Sequence, residues 1–119
     1  MSNPTRGTLH LSNRMVIDNC NPAFLFSEDS KYLAVPHWHV AWGLFRRQRL
    51  LVVDLALRQC FISRRSWWLV QPESFSCNGL ATTANPTSRR PRAFTLPIPE
   101  ALDRAFRPWH PPNNRLRRQ

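Results

Sequence analysis

Ala23-Phe-Leu-Phe-Ser-Glu-Asp-Ser-Lys-Tyr-Leu-Ala-Val-Pro36, then Gln48-Arg-Leu-Leu-Val-Val-Asp-Leu55, then Arg58-Gln-Cys-Phe-Ile-Ser63 read as consecutive antiparallel strands joined by tight polar turns. Ser27, Asp29 and Ser30 are residues whose short polar side chains hydrogen-bond the backbone just ahead, and they separate two runs rich in aromatic and branched residues. Phe24 and Phe26 alternate with Leu25, and Tyr32 and Ala34 with Leu33 and Val35, so both faces of this hairpin are apolar and both are expected to be covered. Pro36 withholds a ladder donor and suits the end of a strand. Leu50 to Val53 form an unbroken apolar run of strand length closed by Asp54, and Cys60, Phe61 and Ile62 start its partner.

Working outward, Leu9 to Leu11 and Met15 to Ile17 supply one or two earlier strands, Trp67 to Val70 continues the apolar content, and Phe75 to Leu80 supplies a later strand. The sequence therefore predicts an all-β protein: one open, curved antiparallel sheet or half-barrel of about six or seven strands, with a short C-terminal helix. That helix is Pro99-Glu-Ala-Leu-Asp-Arg-Ala-Phe106. Proline is tolerated at its first position, Glu100 and Asp103 sit near its positive end, and Leu102 and Phe106 fall four apart on one face. Residues 84–99 are proline-rich and read as irregular or extended. The division expected is a single β domain over 1–107 and a basic, proline-rich, flexible tail over 108–119.

The segments FLFSEDSKYLAV and RLLVVDLALRQCFIS resemble one blade of a β-propeller of the WD-like or Tol type, in which an apolar run, Ser-Pro-Asp-Gly, Tyr-Leu-Ala and Leu-x-Val-x-Asp-Leu follow one another. Glu28 stands where that pattern has Pro, and Ser30 where it has Gly. The resemblance covers residues 23–63, about a third of the chain, and encodes strands and turns rather than chemistry. No second copy is visible. A closed propeller takes about four or more blades of roughly 40 residues, so the blade's local code is expected here in a single curved sheet.

The chain has 119 residues, long enough for one domain burying about two thirds of its unfolded surface. No apolar stretch reaches the roughly eighteen residues of a membrane helix, and the N-terminus lacks the basic-then-apolar order of a secretory signal, so no membrane association and a cytoplasmic location are expected. Cys20, Cys60 and Cys77 are odd in number and widely spaced, which suits buried, reduced thiols better than a disulfide frame or a zinc site.

Seventeen Lys and Arg stand against seven Asp and Glu, a net charge of +10, and Lys31 is the only lysine. From residue 89 onward the excess is +6. Arginine pairs bidentately with carboxylates and phosphates, so this surface favours an acidic protein or a nucleic acid, although a GC-rich genome also enriches Arg over Lys.

Between the hairpin and the long apolar run lies His37-Trp-His-Val-Ala-Trp-Gly-Leu-Phe-Arg-Arg47, read as a loop of about ten residues with the composition of an interface anchor, since Trp and Arg dominate binding hot spots. Partner-binding candidates are His37, Trp38, His39, Trp42, Phe45, Arg46 and Arg47, with Arg64, Arg65 and Trp67 from Arg64-Arg-Ser-Trp-Trp68. The bland alternative folds these aromatics back to cap the sheet. His37 and His39 face one side of an extended chain, yet no third metal ligand accompanies them. The three glycines form no phosphate loop, no nucleophile elbow is present, and the acidic residues are too few and scattered for an acid–base pair, with Glu28 and Asp29 explained by the turn, Asp54 by a strand end and Glu100 and Asp103 by helix charge, so neither enzyme activity nor a metal or cofactor is expected.

A small, non-catalytic β protein with aromatic and Arg-bearing segments suits protein binding, as a monomer or weak dimer. By size and type it resembles bacterial immunity proteins, the antitoxins that occlude the active site of a cognate secreted toxin. That resemblance implies Trp38 or Trp42 inserted into a toxin cleft, with arginines pairing its acidic residues. The alternatives are an RNA or DNA binder in which Trp38, Trp42, Trp67 or Trp68 stack bases, and an edge-pairing structural β module.

Overall fold

A computed structural model describes residues 7–41 and 45–110. Its strands are β1 (Gly7–His10), β2 (Val16–Cys20), β3 (Leu25–Phe26), β4 (Tyr32–Ala41), β5 (Phe45–Asp54), β6 (Gln59–Ser63), β7 (Val70–Ser76), β8 (Gly79–Ala84), β9 (Arg92–Leu96) and β10 (Phe106–Trp109). Seven of them form an open antiparallel sheet in the order β1-β2-β4-β5-β6-β10 with β3 beside β4, and β7-β8-β9 form a second sheet. The open sheet is the one the sequence predicts. The three-stranded sheet is an addition to it. No helix among the described residues is long and apolar enough to cross a membrane.

Local chemistry explains why residues 25–63 run as a meander. Ser27 Oγ accepts the Lys31 and Tyr32 amides at 3.1 and 3.0 Å and donates to Asp29 Oδ1 at 2.7 Å, closing the turn between β3 and β4. Ser30 sits there at φ +60°, the left-handed conformation that glycine adopts most easily, so its unfavourable backbone is held by its neighbours' hydrogen bonds. After β5, Asp54 Oδ1 accepts the Leu57 amide at 3.1 Å and Arg58 takes φ +56°, which reverses the chain into β6.

Period-two alternation then divides the side chains between two cores. On one face Ala34, Leu50, Val52 and Phe106 pack with Val70, Phe75 and Leu80 of the second sheet. On the other face Leu33, Val35, Leu51, Val53, Cys60 and Ile62 pack with Met15 and Ile17 of the β1–β2 hairpin. This second face is buried although the three-stranded sheet lies on the opposite side, so the large sheet must cover it by curling. The ladder between β2 and β4 is one pair long, Cys20 with His37, which frees the rest of β2 to fold across. From the far edge Trp109 of β10 reaches the His37 ring on β4, with centroids 4.9 Å apart. On a flat sheet those strands would lie roughly 14 Å apart, at about 4.8 Å per step. The result is a half-barrel.

Gln48 joins the two layers. It is fully buried, pairs with Trp67 across an isolated bridge, and its side-chain carbonyl accepts the Val70 amide at 2.7 Å where β7 begins.

Several expectations are corrected. Of residues 37–47, read as a loop, 37–41 continue β4 and 45–47 begin β5, whose ladder pairs Ala41 with Phe45; residues 42–44 lie outside the described residues. Phe75 to Leu80 is not one strand, because Cys77 and Asn78 turn β7 into β8. Gly79 fixes that turn at φ +128°, and a Cβ there would meet the Leu96 carbonyl oxygen at 2.6 Å. The proline-rich stretch contains β9, paired along its length with β8. The expected helix is a 3-10 turn over Glu100–Asp103, because Phe106 leaves to pair with Ser63. Pro108 and Trp109 pair with Phe61 and Cys60, so the sheet runs past residue 107; residues 111–119 of the tail lie outside the described residues. Cys20 and Cys60 are buried as expected, and Cys77 is exposed.

Candidate functional site

Alternation along the β4–β5 ribbon collects imidazole and guanidinium groups on the inner face of the half-barrel. Leu33 and Val35 point into the inner core, and the next two residues on that face are His37 and His39. Opposite them the register sets Arg49 against His37 and Arg47 against His39. The inner core is therefore apolar at one end and basic at the other. From the neighbouring edge strand Arg107, paired with Ile62, adds its charge to that of Arg49.

Each member is constrained differently. His37 is buried, with its ring edge-on to Trp109. Arg47 is braced: its Nε donates to Ser66 Oγ at 2.9 Å, an Nη donates to the Ser66 carbonyl at 3.0 Å, and its guanidinium carbon lies 4.9 Å from the centroid of the Trp68 ring. Trp68 is 54 % exposed, so this cation–aromatic plate faces outward. Arg49 Nε and His39 Nδ1 are shielded from solvent and have no hydrogen-bond partner.

The electrostatics follow from that crowding. Burial lowers the pKa of His37 and His39 below the ordinary histidine value. For His37 a hydrogen bond with the Asp18 backbone works the other way, while His39 and Arg49 add to the lowering. For His39 the guanidinium groups of Arg49 and Arg47 add to it. Burial, and then Arg107, also lowers Arg49. The like charges of Arg49 and Arg107 repel one another, and a buried donor left without an acceptor costs about 1–3 kcal/mol. An anionic group placed against Arg49, His39 and Arg107 relieves both penalties. The chemistry this face can perform is therefore anion recognition, by carboxylate or phosphate.

The remaining predicted residues fall in different places. Trp38 and Trp67 are each only 8 % exposed and are core residues, with Trp67 stacked on Phe94 at 5.5 Å between centroids. Arg46 is exposed on the outer face beside exposed Val40. Arg64 and Arg65 are exposed where the chain leaves β6, held by the Arg64 amide on the Ala105 carbonyl and by the Arg65 carbonyl accepting from Ser63 Oγ. Trp42 and the side chain of Phe45 lie outside the described residues. Of the sequence candidates the ribbon thus brings together His37, His39 and Arg47, and it adds Arg49, Trp68, Arg107 and Trp109. The signal for Arg49 was its spacing: it lies two and four residues before Leu51 and Val53, hence on their face. Arg107 had no such signal, because a 3-10 turn and a new strand bring it in from far along the chain.

The thiols are engaged by packing rather than chemistry. Burial pushes Cys20 and Cys60 up to about 12, with the Asp18 charge adding to Cys20, so both are protonated at neutral pH. Among the described residues no three His, Cys, Asp or Glu side chains gather where they could hold a metal ion.

Comparison with known protein families, with curated proteins and with solved structures finds no match to this chain.

Proposed function

We propose that this chain is a non-catalytic binding module that docks an acidic protein on the basic inner end of its β4–β5 ribbon. We further propose that the partner is a toxin domain, whose active site the chain occludes in the manner of a cytoplasmic immunity protein. The observation that carries the reading is the shielded, unpartnered Arg49 Nε beside His39 Nδ1, in a register that opposes imidazoles to guanidinium groups. A fold keeps such an arrangement at a cost to its own stability when a second molecule supplies the missing acceptor. Occlusion needs no catalytic group here, only a rigid basic surface presented to the carboxylates of the partner's cleft. Arg47, clamped by Ser66 and Trp68, is preorganised for this and loses little side-chain freedom on binding.

Nucleic-acid binding is the weaker reading on one specific ground. Base stacking on successive aromatic side chains requires exposed rings, and of the four tryptophans suited by sequence Trp38 and Trp67 are buried.

The test is co-expression with the product of the adjacent gene. The wild-type chain restores growth to cells making that product, and Arg49→Ala with Arg47→Ala removes the rescue while the chain still accumulates folded. Growth unaffected by the neighbouring product, or rescue undiminished in the double variant, would remove the proposal. Tight capture of a fluorescein-labelled RNA oligonucleotide, lost steeply as salt rises, would replace it with the nucleic-acid reading.

A further inference from the structure

A second surface lies on the opposite side of the large sheet, where the two sheets meet. A cleft of about 420 Å³ opens there, lined by the whole of β9 together with Trp67, Phe106 and the end of β6. Its apolar wall is Trp67 stacked on Phe94, with Leu96 and Phe106 beside them. Its charged groups are Arg65 and Arg92, and among the described residues no carboxylate lines it.

The position of β9 gives this cleft a specific use. Among the described residues β9 is the last strand of the three-stranded sheet, paired with β8 on one side only. A strand pairs on two sides, so alternate amides and carbonyls of Arg92–Leu96 face the cleft without a ladder. An exposed edge beside an apolar slot is the arrangement by which a folded domain takes up an extended segment: backbone hydrogen bonds hold it, and alternate side chains enter the slot.

We propose that β9 accepts an extended acidic peptide segment of a partner protein as a fourth strand, with an apolar side chain seated against Trp67, Phe94 and Phe106 and flanking carboxylates on Arg65 and Arg92. Charge selects this occupant. The chain's own C-terminal segment, which carries Arg115, Arg117 and Arg118, has the wrong sign for a site bounded by two arginines. The inference does not rest on the toxin reading, because the cleft and the basic ribbon face belong to opposite faces of the large sheet.

The test uses the full chain and a fluorescein-labelled peptide, Asp-Glu-Leu-Val-Glu-Asp, with a Lys-Lys-Leu-Val-Lys-Lys peptide and a backbone N-methylated acidic peptide as comparisons. The acidic peptide binds saturably and slows hydrogen exchange at alternate β9 amides, while the basic and N-methylated peptides do not bind. Arg65→Glu with Arg92→Glu weakens the complex about tenfold or more, as expected where two charge pairs are reversed. Peptide affinity lost in Arg49→Ala would place the peptide on the ribbon face and overturn the proposal. Equal binding of the acidic and basic peptides, or full affinity after N-methylation, overturns the proposal without any variant having to fold. So does concentration-dependent dimerisation that protects the same β9 amides in the absence of peptide, because the occupant is then a second copy.

Discussion

The imidazole of His37 on β4 meets the indole of Trp109 on β10 edge-on, with ring centroids 4.9 Å apart and planes at 66°, although β5 and β6 lie between their strands in the sheet. The contact covers the His37 ring and helps to make it a buried histidine, while His39, Arg47 and Arg49 beyond it stay half-buried. Trp109→Ala removes a partly buried indole and an aromatic pair, a loss of about 2 kcal/mol, somewhat below the range for fully buried aromatics. Urea denaturation measures it, and an NMR titration of His37 in the variant shows its pKa moving up toward the ordinary histidine value. A variant of wild-type stability would mean that β10 contributes nothing to closure.

Acid should loosen the fold through the same residues. His37 and His39 have folded pKa values below their unfolded ones, mainly because burial disfavours the imidazolium and secondly because Arg49 and Arg47 repel it. The unfolded chain therefore binds more protons near pH 6, and stability rises with pH there. The contribution is complete above the unfolded value near 6.5 and is lost progressively as pH falls below it. Thermal midpoints between pH 8 and 5.5 follow this fall, and replacing both histidines with glutamine flattens it. An unaltered slope in the double variant would assign the acid sensitivity elsewhere.

Arg49→Met should stabilise the isolated protein while weakening capture of the acidic partner. Methionine keeps the apolar stem and removes a shielded donor and a like charge, a gain of about 1 kcal/mol. Equilibrium unfolding and partner affinity are measured on the same preparation. A stability loss would show that the guanidinium is paid back within the fold itself, and the functional argument from its missing acceptor would lapse.

Thiol chemistry should distinguish Cys77 from the other two cysteines. Burial holds Cys20 and Cys60 up at about 12, so neither supplies thiolate at pH 8, whereas Cys77 lies exposed in the β7–β8 turn. Iodoacetamide on the native protein, followed by mass spectrometry, gives a single adduct at Cys77, and all three sites react in denaturant. Native labelling of Cys60 would mean that the inner core opens on the reagent's timescale.

The meander was legible in the sequence because its turns carry their own chemistry: Ser27 and Asp29 bond amides within five residues, and Asp54 caps the next reversal. The β7–β8 hairpin was missed although Asn78-Gly79 stood in plain view, since the apolar residues on either side read as one run. The segment 37–41 reads as loop because its residues are unusual, yet polar His37 and His39 alternate with apolar Trp38 and Val40, which is the strand period. Which tryptophans reach the surface was not legible at all. Trp67 and Trp68 are sequence neighbours pointing to opposite faces, and the Gln48 bridge, the Phe94 stack and the Arg47 contact together fix which one turns inward. Arg49 and Arg107 come within electrostatic reach because β6 pairs with both β5 and β10, a juxtaposition of residues far apart in the chain.

The single rung that ties β2 to β4 bears on the order of assembly. Strands β3 to β6 are sequence neighbours joined by reversals of a few residues, so they zip early and at little cost in loop closure. The amino-terminal ribbon, held by that rung, by the Asn21 amide on the Pro36 carbonyl and by Asn13 Nδ2 on the Leu55 carbonyl, has more distant contacts to close and is expected to dock afterwards. Until Met15 and Ile17 settle, Leu33, Val35, Leu51 and Val53 are wetted on one side, so the docking of this ribbon is what seals the inner core.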